Sequence, residues 1–295
     1  MQTYEAVETL GLPVNREACF TDHKGNQNKG IVKQQSKLLQ KIAPLMKQFL
    51  QPQEEIMRLS TACSPMSAVE QVTTGWVIYY IKRCVLVFTN LRILHIPAKS
   101  DYTPKQSIAE VWYGDIQKYK VGGFLGRRLS LTYKNRKKTE MFYYIPSKED
   151  KKLKVLLPTL IASGRFSESG RRRHLCPRCT APLQEKVFKC TACHLSFKDK
   201  RQALLRSLLI PGGGYFYTGH PILGIFDAIV EMILLLLLLG AILDLTTTGG
   251  EEALAATIVL AVILFVEKIL TYYHASHYLA EYIPTERVTA VTSVH

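Results

Sequence analysis

The stretch ILGIFDAIVEMILLLLLLGAIL, residues 222–243, is the longest apolar segment of this 295-residue chain and contains only two charged side chains. A second apolar stretch, ALAATIVLAVILFVEKILTYY, occupies residues 253–273. At 1.5 Å per residue, each stretch is long enough as a helix to cross a hydrocarbon core of about 30 Å. The residues between them, DLTTTGGEE, suffice only for a turn, so the sequence predicts a transmembrane helical hairpin.

The charges around this hairpin predict its orientation. The first helix is preceded by four basic residues, Lys198, Lys200, Arg201 and Arg206, whereas the connecting loop has no Lys or Arg. Because Lys and Arg are enriched in cytoplasmic segments, we expect both termini to face the cytoplasm. The start of the chain shows no basic region followed by an apolar run, so no signal peptide is predicted.

Four cysteines form two closely spaced pairs before the hairpin, Cys176 with Cys179 and Cys190 with Cys193. A two-residue gap lets each pair bind one side of a metal ion, and four thiolates complete the tetrahedral shell of structural Zn²⁺. We therefore predict a zinc ribbon over residues 174–198. Two disulfides or four unrelated buried thiols are the alternatives. The other three cysteines are scattered singly, which suits a reducing compartment.

The segment SLLIPGGGYFYTG, residues 207–219, connects the ribbon to the hairpin. A proline must end its short apolar helix, and its glycines permit close backbone approach. The segment resembles the PG-x-G-x-x-Y-x-G signature of small domains with two transmembrane helices. The matching positions are Pro211, Gly212, Gly214, Tyr217 and Gly219. The resemblance covers about residues 203–273 and implies the topology of a membrane domain, to which we assign residues 199–283, but little mechanism.

Three carboxylates lie inside the predicted membrane helices: Asp227, Glu231 and Glu267. The first two are four residues apart and therefore share one helical face. Charged side chains inside a membrane are costly and are usually functional. The sequence leaves open a position of Asp227 at the membrane interface or its structural pairing with Arg206 or Lys268, an ion path, and a contact between subunits.

Short β-rich runs separated by polar turns fill the N-terminal half. The seven predicted strands cover residues 75–81, 84–88, 91–96, 107–112, 115–121, 128–133 and 139–145. A helix is predicted at residues 147–161, with its apolar side chains on one face. These elements predict a small barrel-like sandwich capped by a C-terminal helix. Residues 1–50 are predicted to contribute an amphipathic helix over 30–50, which packs on the barrel or lies on a membrane.

This order of elements is similar to the pleckstrin-homology (PH) superfold, specifically its bacterial, GRAM-like branch. The resemblance depends on VLVFTNLRILHI at residues 85–96, on residues 108–121 with Trp112 and Gly114, and on the terminal helix. It covers residues 51–163 and implies a domain that binds lipid headgroups or a protein partner. The combination of this domain with a ribbon and a hairpin is typical of a bacterial cytoplasmic membrane protein.

The net charge of +14 is concentrated before the hairpin. Residues 164–173 end in three arginines and are predicted to form a flexible basic linker, and residues 284–295 a polar tail. The barrel residues that we predict to bind lipid or a partner are Lys118, Lys120, Arg127, Arg128, Lys134, Arg136, Lys137 and Lys138. A solvated charged surface is the alternative.

The sequence contains no nucleophile elbow, Walker loop or HExxH motif, and four cysteine ligands leave no open metal position, so we expect no enzyme. We predict a membrane-anchored adaptor that contacts membrane lipids and binds a protein partner or self-associates. Two other functions stay open. One is nucleic-acid binding through the ribbon's basic residues, Arg171, Arg172, Arg173, Arg178, Lys186 and Lys189. The other is transport or ion conduction by an oligomer of hairpins.

Overall fold

The computed structural model describes residues 10–123, 126–286 and 288, without the side chains of residues 136–138. The described residues form two compact units that divide between Leu195 and Ser196. The second unit is Ser196–Thr285, and the described residues beyond it belong to the first. Of the predicted polar tail, Glu286 pairs with Arg178 and Val288 hydrogen-bonds Gln106, while residues 287 and 289–295 lie outside the described residues.

The first unit is built on an eight-stranded sheet. Its strands are β1 (Ile56–Cys63), β2 (Arg83–Thr89), β3 (Arg92–Pro97), β4 (Ile108–Trp112), β5 (Ile116–Gly122), β6 (Arg128–Tyr133), β7 (Arg136–Tyr143) and β8 (Arg173–Leu175). The spatial order is β5-β6-β7-β1-β2-β3-β4-β8, and every neighbouring pair is antiparallel. Strands β1 to β4 therefore form one meander and β5 to β7 form another, and the pairing of β1 with β7 joins the two.

Five α-helices accompany the sheet in the described part of this unit. They are α1 (Arg16–Cys19), α2 (Lys29–Phe49), α3 (Ala68–Thr74), α4 (Ile78–Ile81) and α5 (Ser147–Ala162). Asn28 caps α2 by accepting a hydrogen bond from the Gly30 amide. The predicted helices at 30–50 and 147–161 thus correspond to α2 and α5.

The sheet is covered on both faces. Val85 and Val87 of β2 pack in one core with the buried face of α2, and Leu86 and Phe88 pack in a second core with α5. Because side chains alternate along a strand, a strand buried on both faces is continuously apolar, as residues 84–88 of β2 are. Helix α2 therefore packs on the sheet, which is one of the two alternatives that the sequence left open.

The predicted strand at residues 75–81 is wrong, because the chain there is helical, and the first strand is β1 instead. Ser67 starts α3 with a capping box, in which its hydroxyl accepts from the Glu70 amide and Glu70 accepts from the Ser67 amide. The β-branched and aromatic composition after this cap suggested a strand. Residues 68–81, named the insertion below, connect β1 to β2 as two short helices joined by a 3₁₀ turn.

A fully buried ion pair connects β1 to the first turn of α5. The Arg58 side chain donates from Nε to Glu149 Oε2 at 2.7 Å and from an Nη to Oε1 at 2.9 Å. Its other Nη donates to the carbonyls of Cys19 and Thr21, at 2.5 and 2.9 Å. Both side chains are inaccessible to water, so hydrogen bonds and the opposite charge must offset their desolvation.

The second unit contains four α-helices: α6 (Lys200–Leu209), α7 (Gly213–Thr218), α8 (Pro221–Thr248) and α9 (Glu251–Tyr278). The predicted hairpin at 222–243 and 253–273 lies within α8 and α9, which are long and apolar enough to cross a membrane. Gly249, with φ of 64°, ends α8 before the turn. Most apolar side chains of both helices are exposed, unlike those of a core helix in a soluble protein.

We predict that Arg58→Met destabilises the first unit strongly, because it leaves the Glu149 carboxylate buried without its cation. Breaking such a pair costs about 3–5 kcal/mol. Both tryptophans, Trp76 and Trp112, belong to this unit, so their fluorescence in the full chain follows its thermal unfolding.

The matched control is Arg171→Met, which removes an exposed ion pair with Glu185 and should cost less than about 1 kcal/mol. Equal shifts of the melting temperature in the two variants would contradict the role assigned to Arg58.

Candidate functional site

The four paired cysteines converge on one point. All are free thiols, with Cys176 and Cys190 buried and the other two half-buried. The sulfurs of Cys176 and Cys193 are 3.5 Å apart, those of Cys179 and Cys190 are 3.6 Å apart, and all four lie within 4.8 Å of one another. Sulfurs that bind one tetrahedral ion at about 2.3 Å are separated by about 3.8 Å. This spacing can hold a metal ion and is far longer than a disulfide bond.

The two cysteine pairs have the same backbone turn. After the first pair, the Thr180 amide donates to the Cys176 carbonyl at 2.9 Å, and after the second, the His194 amide donates to the Cys190 carbonyl at 3.0 Å. Thr180 and His194 adopt left-handed backbone conformations, with φ of 61° and 59°. Since such φ values are unfavourable for residues other than glycine, the repeated turn indicates a geometry imposed by the site.

Backbone amides point at the sulfurs and favour thiolates. Burial opposes ionisation of Cys190, but amide donors from Cys193 and Ala192, together with hydrogen bonds from the Cys179 and Cys176 thiols, outweigh it and lower the pKa of the Cys190 thiol to about 7. At Cys176 burial dominates and raises the pKa of the thiol, although the amides of Cys179 and Arg178 oppose the shift. A thiolate-binding cation would supply the missing positive charge. The donor set and its spacing therefore fit a closed, tetrahedral metal site.

The cysteine site continues from the sheet. Strand β8 ends at Leu175, directly before Cys176, and pairs with β4 through Leu175 opposite Ile108 and Arg173 opposite Glu110. The Glu110 carboxylate accepts close hydrogen bonds from Arg173 and from Arg92 of β3. These contacts position the first cysteine pair on the edge of the sheet.

Residues 164–173, which we expected to form a flexible linker, make specific contacts in the structure. The Asp115 carboxylate accepts from the Ser167 amide at 3.0 Å and from its hydroxyl. Gly164 packs so tightly against Tyr113 and Gly114 that a Cβ atom would overlap them. The Ser/Gly-rich composition did not indicate these contacts, because their partners are distant in sequence.

The arginines that motivated nucleic-acid binding are engaged by carboxylates. The ion pairs are Arg171 with Glu185, Arg172 with Glu140, Arg173 with Glu110 and Arg178 with Glu286. Such pairing offsets the positive charge that a phosphate backbone would require. Lys186 and Lys189 are exposed on the same segment.

The predicted lipid-binding or partner-binding residues whose side chains the structure describes are not brought together. The strand register places Arg127 and Arg128 at the sheet end that carries the insertion, because Tyr143 pairs with both Arg128 and Cys63. Lys134 follows β6 at the opposite end, beside the Phe166 ring. Lys118 and Lys120 are exposed on the edge strand β5, and the side chains of Arg136, Lys137 and Lys138 lie outside the described residues.

The insertion presents an uncharged, apolar surface that was not predicted from the sequence. Val72 is 83% exposed, Trp76 71% and Tyr80 50%. The Trp76 and Tyr80 rings stack edge to face with centroids 5.7 Å apart. Glu70 is the only charged residue of the insertion, and it is buried in an ion pair with Lys82. The sequence signal that could have revealed this helical surface was the capping-box pattern of Ser67 and Glu70 shortly before the aromatic residues Trp76, Tyr79 and Tyr80.

The glycines of the predicted membrane motif allow close helix contacts in the second unit. Gly212 has φ of 67°, and a Cβ atom there would overlap the Gly224 carbonyl of α8. A Cβ atom on Gly214 would lie 3.1 Å from the methyl group of Thr271 on α9. Gly219, with φ of 84°, ends α7. Each motif glycine thus serves a turn or a close approach.

Tyr217 of the same motif connects α7 to the start of α6. Its hydroxyl accepts from the Asp199 amide at 3.2 Å, and the Arg206 guanidinium lies 4.7 Å from its ring centroid. Pro211 lies between α6 and α7, where no helical hydrogen bond requires its missing amide. The motif therefore joins two short helices, α6 and α7, through a tight turn before the hairpin.

The three predicted intramembrane carboxylates do converge, with ligand atoms within 4.8 Å of one another. Glu231 forms an ion pair with Lys268 and accepts from the Gly212 amide at 3.2 Å. The Thr271 hydroxyl lies 2.8 Å from a Glu267 oxygen and 3.1 Å from an Asp227 oxygen. Lys268, which the sequence offered as a partner of Asp227, pairs with Glu231 instead.

No family model, no curated protein and no solved structure matches this chain. The sequence resemblances to PH domains and to two-helix membrane domains therefore stay predictions.

We predict that the full chain purified in detergent contains about one metal ion per chain at the four cysteines. Cys176→Ser and Cys190→Ser should each reduce that content to near zero, because three thiolates bind a structural ion far more weakly. Elemental analysis with protein quantification measures the ratio.

Cys63→Ser is the control, since Cys63 is a lone thiol that donates to the Tyr79 carbonyl, a bond that serine can replace. Retention of the metal in Cys176→Ser would show that this thiol is not a ligand.

Proposed function

We propose that this chain is a membrane-anchored, non-enzymatic interaction protein whose sheet domain is of the PH, GRAM-like type and contacts an anionic bilayer surface. The two antiparallel meanders and the C-terminal helix α5 support the fold assignment, since they match the element order of that superfold. Helices α8 and α9 would provide the anchor, and their length and exposed apolar surface support this role.

The exposed surface of the insertion carries the proposal of membrane contact. Trp and Tyr side chains favour the interface between water and lipid, and an apolar surface flanked by basic residues favours anionic lipids. Four basic residues share this end of the sheet or adjoin it: Arg83, Lys99, Arg127 and Arg128. Each would contribute about 1 kcal/mol near an anionic leaflet.

The charge distribution of the insertion suits an anionic surface and disfavours a basic protein surface. Glu70, the only acid of the insertion, is buried against Lys82, so no carboxylate of the insertion would face the headgroups. Arg83 packs its guanidinium 4.6 Å from the Tyr80 ring centroid, which places a cation beside the apolar surface. Exposed apolar side chains with a cation beside them suit a shallow membrane-contacting surface.

We propose that the four-cysteine site binds structural Zn²⁺. Four thiolates in a tetrahedron favour zinc among available ions, and they leave no position for a substrate or an activated water. The ion would fix the two turns beside β8 and thereby stabilise the edge of the sheet. Because the nearby arginines are paired with carboxylates, the structure adds no support for nucleic-acid binding at the ribbon.

We expect Trp76 to be quenched by brominated lipid in proteoliposomes that contain anionic lipid, and much less in neutral ones. The full-length variant Trp112→Phe isolates the emission of Trp76. Val72→Glu should reduce the quenching, because the apolar burial that Val72 gains in the bilayer is worth about 2 kcal/mol, which corresponds to roughly 30-fold in the docked population.

Two control variants test whether the quenching is specific to Trp76 and to the surface of the insertion. Trp76→Phe leaves only Trp112, a half-buried residue of β4, which should not be quenched. Val155→Glu changes another exposed helical valine and should leave Trp76 quenching intact. Equal quenching of Trp76 in neutral and anionic bilayers, or none in either, would refute contact with anionic lipid.

A further inference from the structure

The polar cluster between α6, α8 and α9 has an excess of negative charge. Lys268 neutralises Glu231, and its amine also donates to the Ser207 carbonyl at 2.9 Å. Within Ser196–Thr285, no ion pair joins Asp227 or Glu267 to a basic side chain. Two carboxylates therefore face each other in an apolar helical unit without a countercharge, which is strongly unfavourable.

Hydrogen bonding inside the cluster does not remove this excess. The Thr271 hydroxyl has one proton, yet it contacts both Asp227 and Glu267. The second Glu267 oxygen, Oε2, is inaccessible to water and has no hydrogen-bond partner. Buried carboxylate oxygens are normally satisfied, so this orphaned atom requires a ligand or a proton.

An independent observation comes from α6. Ser207 is 1% exposed, and its hydroxyl has no hydrogen-bond partner. The hydroxyl and the methyl group of Thr271 both border the Cα of Gly214, so Ser207 faces the side of α9 that carries Lys268 and Thr271. Leaving a buried hydroxyl unpaired is unfavourable, whereas an oxygen that binds an ion has no such penalty.

We propose that Asp227, Glu267, Thr271 and Ser207 bind a hard cation through oxygen atoms, beside the Glu231–Lys268 ion pair. The two carboxylates supply the charge and the two hydroxyls supply neutral ligands. All the donors are oxygens, which select ions such as Ca²⁺, Mg²⁺ or Na⁺ over thiophilic metals. Ca²⁺ accepts six to eight oxygens in irregular geometry, which suits an all-protein shell better than Mg²⁺ does.

Cation binding would couple the glycine-containing turn to the hairpin. Ser207 lies on α6, whereas Asp227 and Glu267 lie on α8 and α9, so one ion would connect three helices. The Gly212 amide donates to Glu231 in the same cluster. The close helix approach that the motif glycines permit is what brings these oxygens together.

The test is equilibrium dialysis of the full chain in detergent against radioactive Ca²⁺ and, separately, Na⁺, in a potassium buffer with and without excess Mg²⁺. We expect about one ion per chain for the wild type. Glu267→Gln should weaken binding at least tenfold, because it removes a charged ligand. Thiolates bind these hard ions poorly, so the cysteine site does not contribute to the count.

Ser207→Ala is the decisive second variant, since it removes a predicted ligand without changing the charge or the Glu231–Lys268 pair, and it should weaken binding several-fold. Glu251→Gln is the matched control, an exposed carboxylate in the first turn of α9. Binding that is absent in the wild type, or equal in all four proteins, would overturn the proposal. The proposal would also be overturned if the melting temperature of the wild type did not change with added cations but rose in mild acid. The two carboxylates would then share a proton instead of binding an ion.

Discussion

The buried carboxylate of Glu110 determines how the first unit is assembled. It accepts hydrogen bonds from Arg92 on β3 and Arg173 on β8, and Arg92 also contacts Glu54 at 2.9 Å and the Phe49 carbonyl at 2.7 Å. Buried charges are tolerated only when every donor and acceptor is satisfied, and this network meets that condition. Since β8 leads directly into Cys176, the same network that completes the sheet also fixes the start of the cysteine site.

The coverage of the sheet explains where this domain can contact other molecules. Helix α2 covers one face, α5 packs against the other, and β8 pairs with β4. The other outer strand of the sheet, β5, carries exposed Lys118 and Lys120. Lysines on an edge strand hinder pairing with other chains, which is a sufficient structural reason for both. The insertion is the part of the described domain where several large apolar side chains, Val69, Val72, Trp76 and Tyr80, are exposed within one short segment.

Local patterns predicted most of the elements, and tertiary contacts account for the failures. Strands β2 to β7 were predictable because their apolar residues form continuous or alternating runs between turns, and the cysteine site because two short spacings define it. Strand β8 was missed, since Arg173–Leu175 lies where the sequence predicted the end of a flexible linker and the start of the ribbon. Strand β1 was missed because it contains Arg58, a charged residue that interrupts its apolar pattern. In the structure Arg58 is fully buried in an ion pair with Glu149. The insertion was predicted as a strand since its composition is β-like, whereas the cap at Ser67 makes it helical. The contacts of residues 164–173 depend on distant partners such as Asp115.

The membrane motif and the acidic residues, which the sequence presented as separate features, form a single arrangement. Gly212 can donate its amide to Glu231 only because its φ of 67° turns the chain after Pro211 and its missing side chain leaves room for the Gly224 carbonyl. Glu231 in turn orients Lys268, whose amine contacts the Ser207 carbonyl on α6. Any side chain at Gly212 would therefore push α6 and α7 away from the hairpin. The contacts of the Glu231–Lys268 ion pair with the Gly212 amide and the Ser207 carbonyl would then be lost. The glycines are required by the buried charges as much as by the turn.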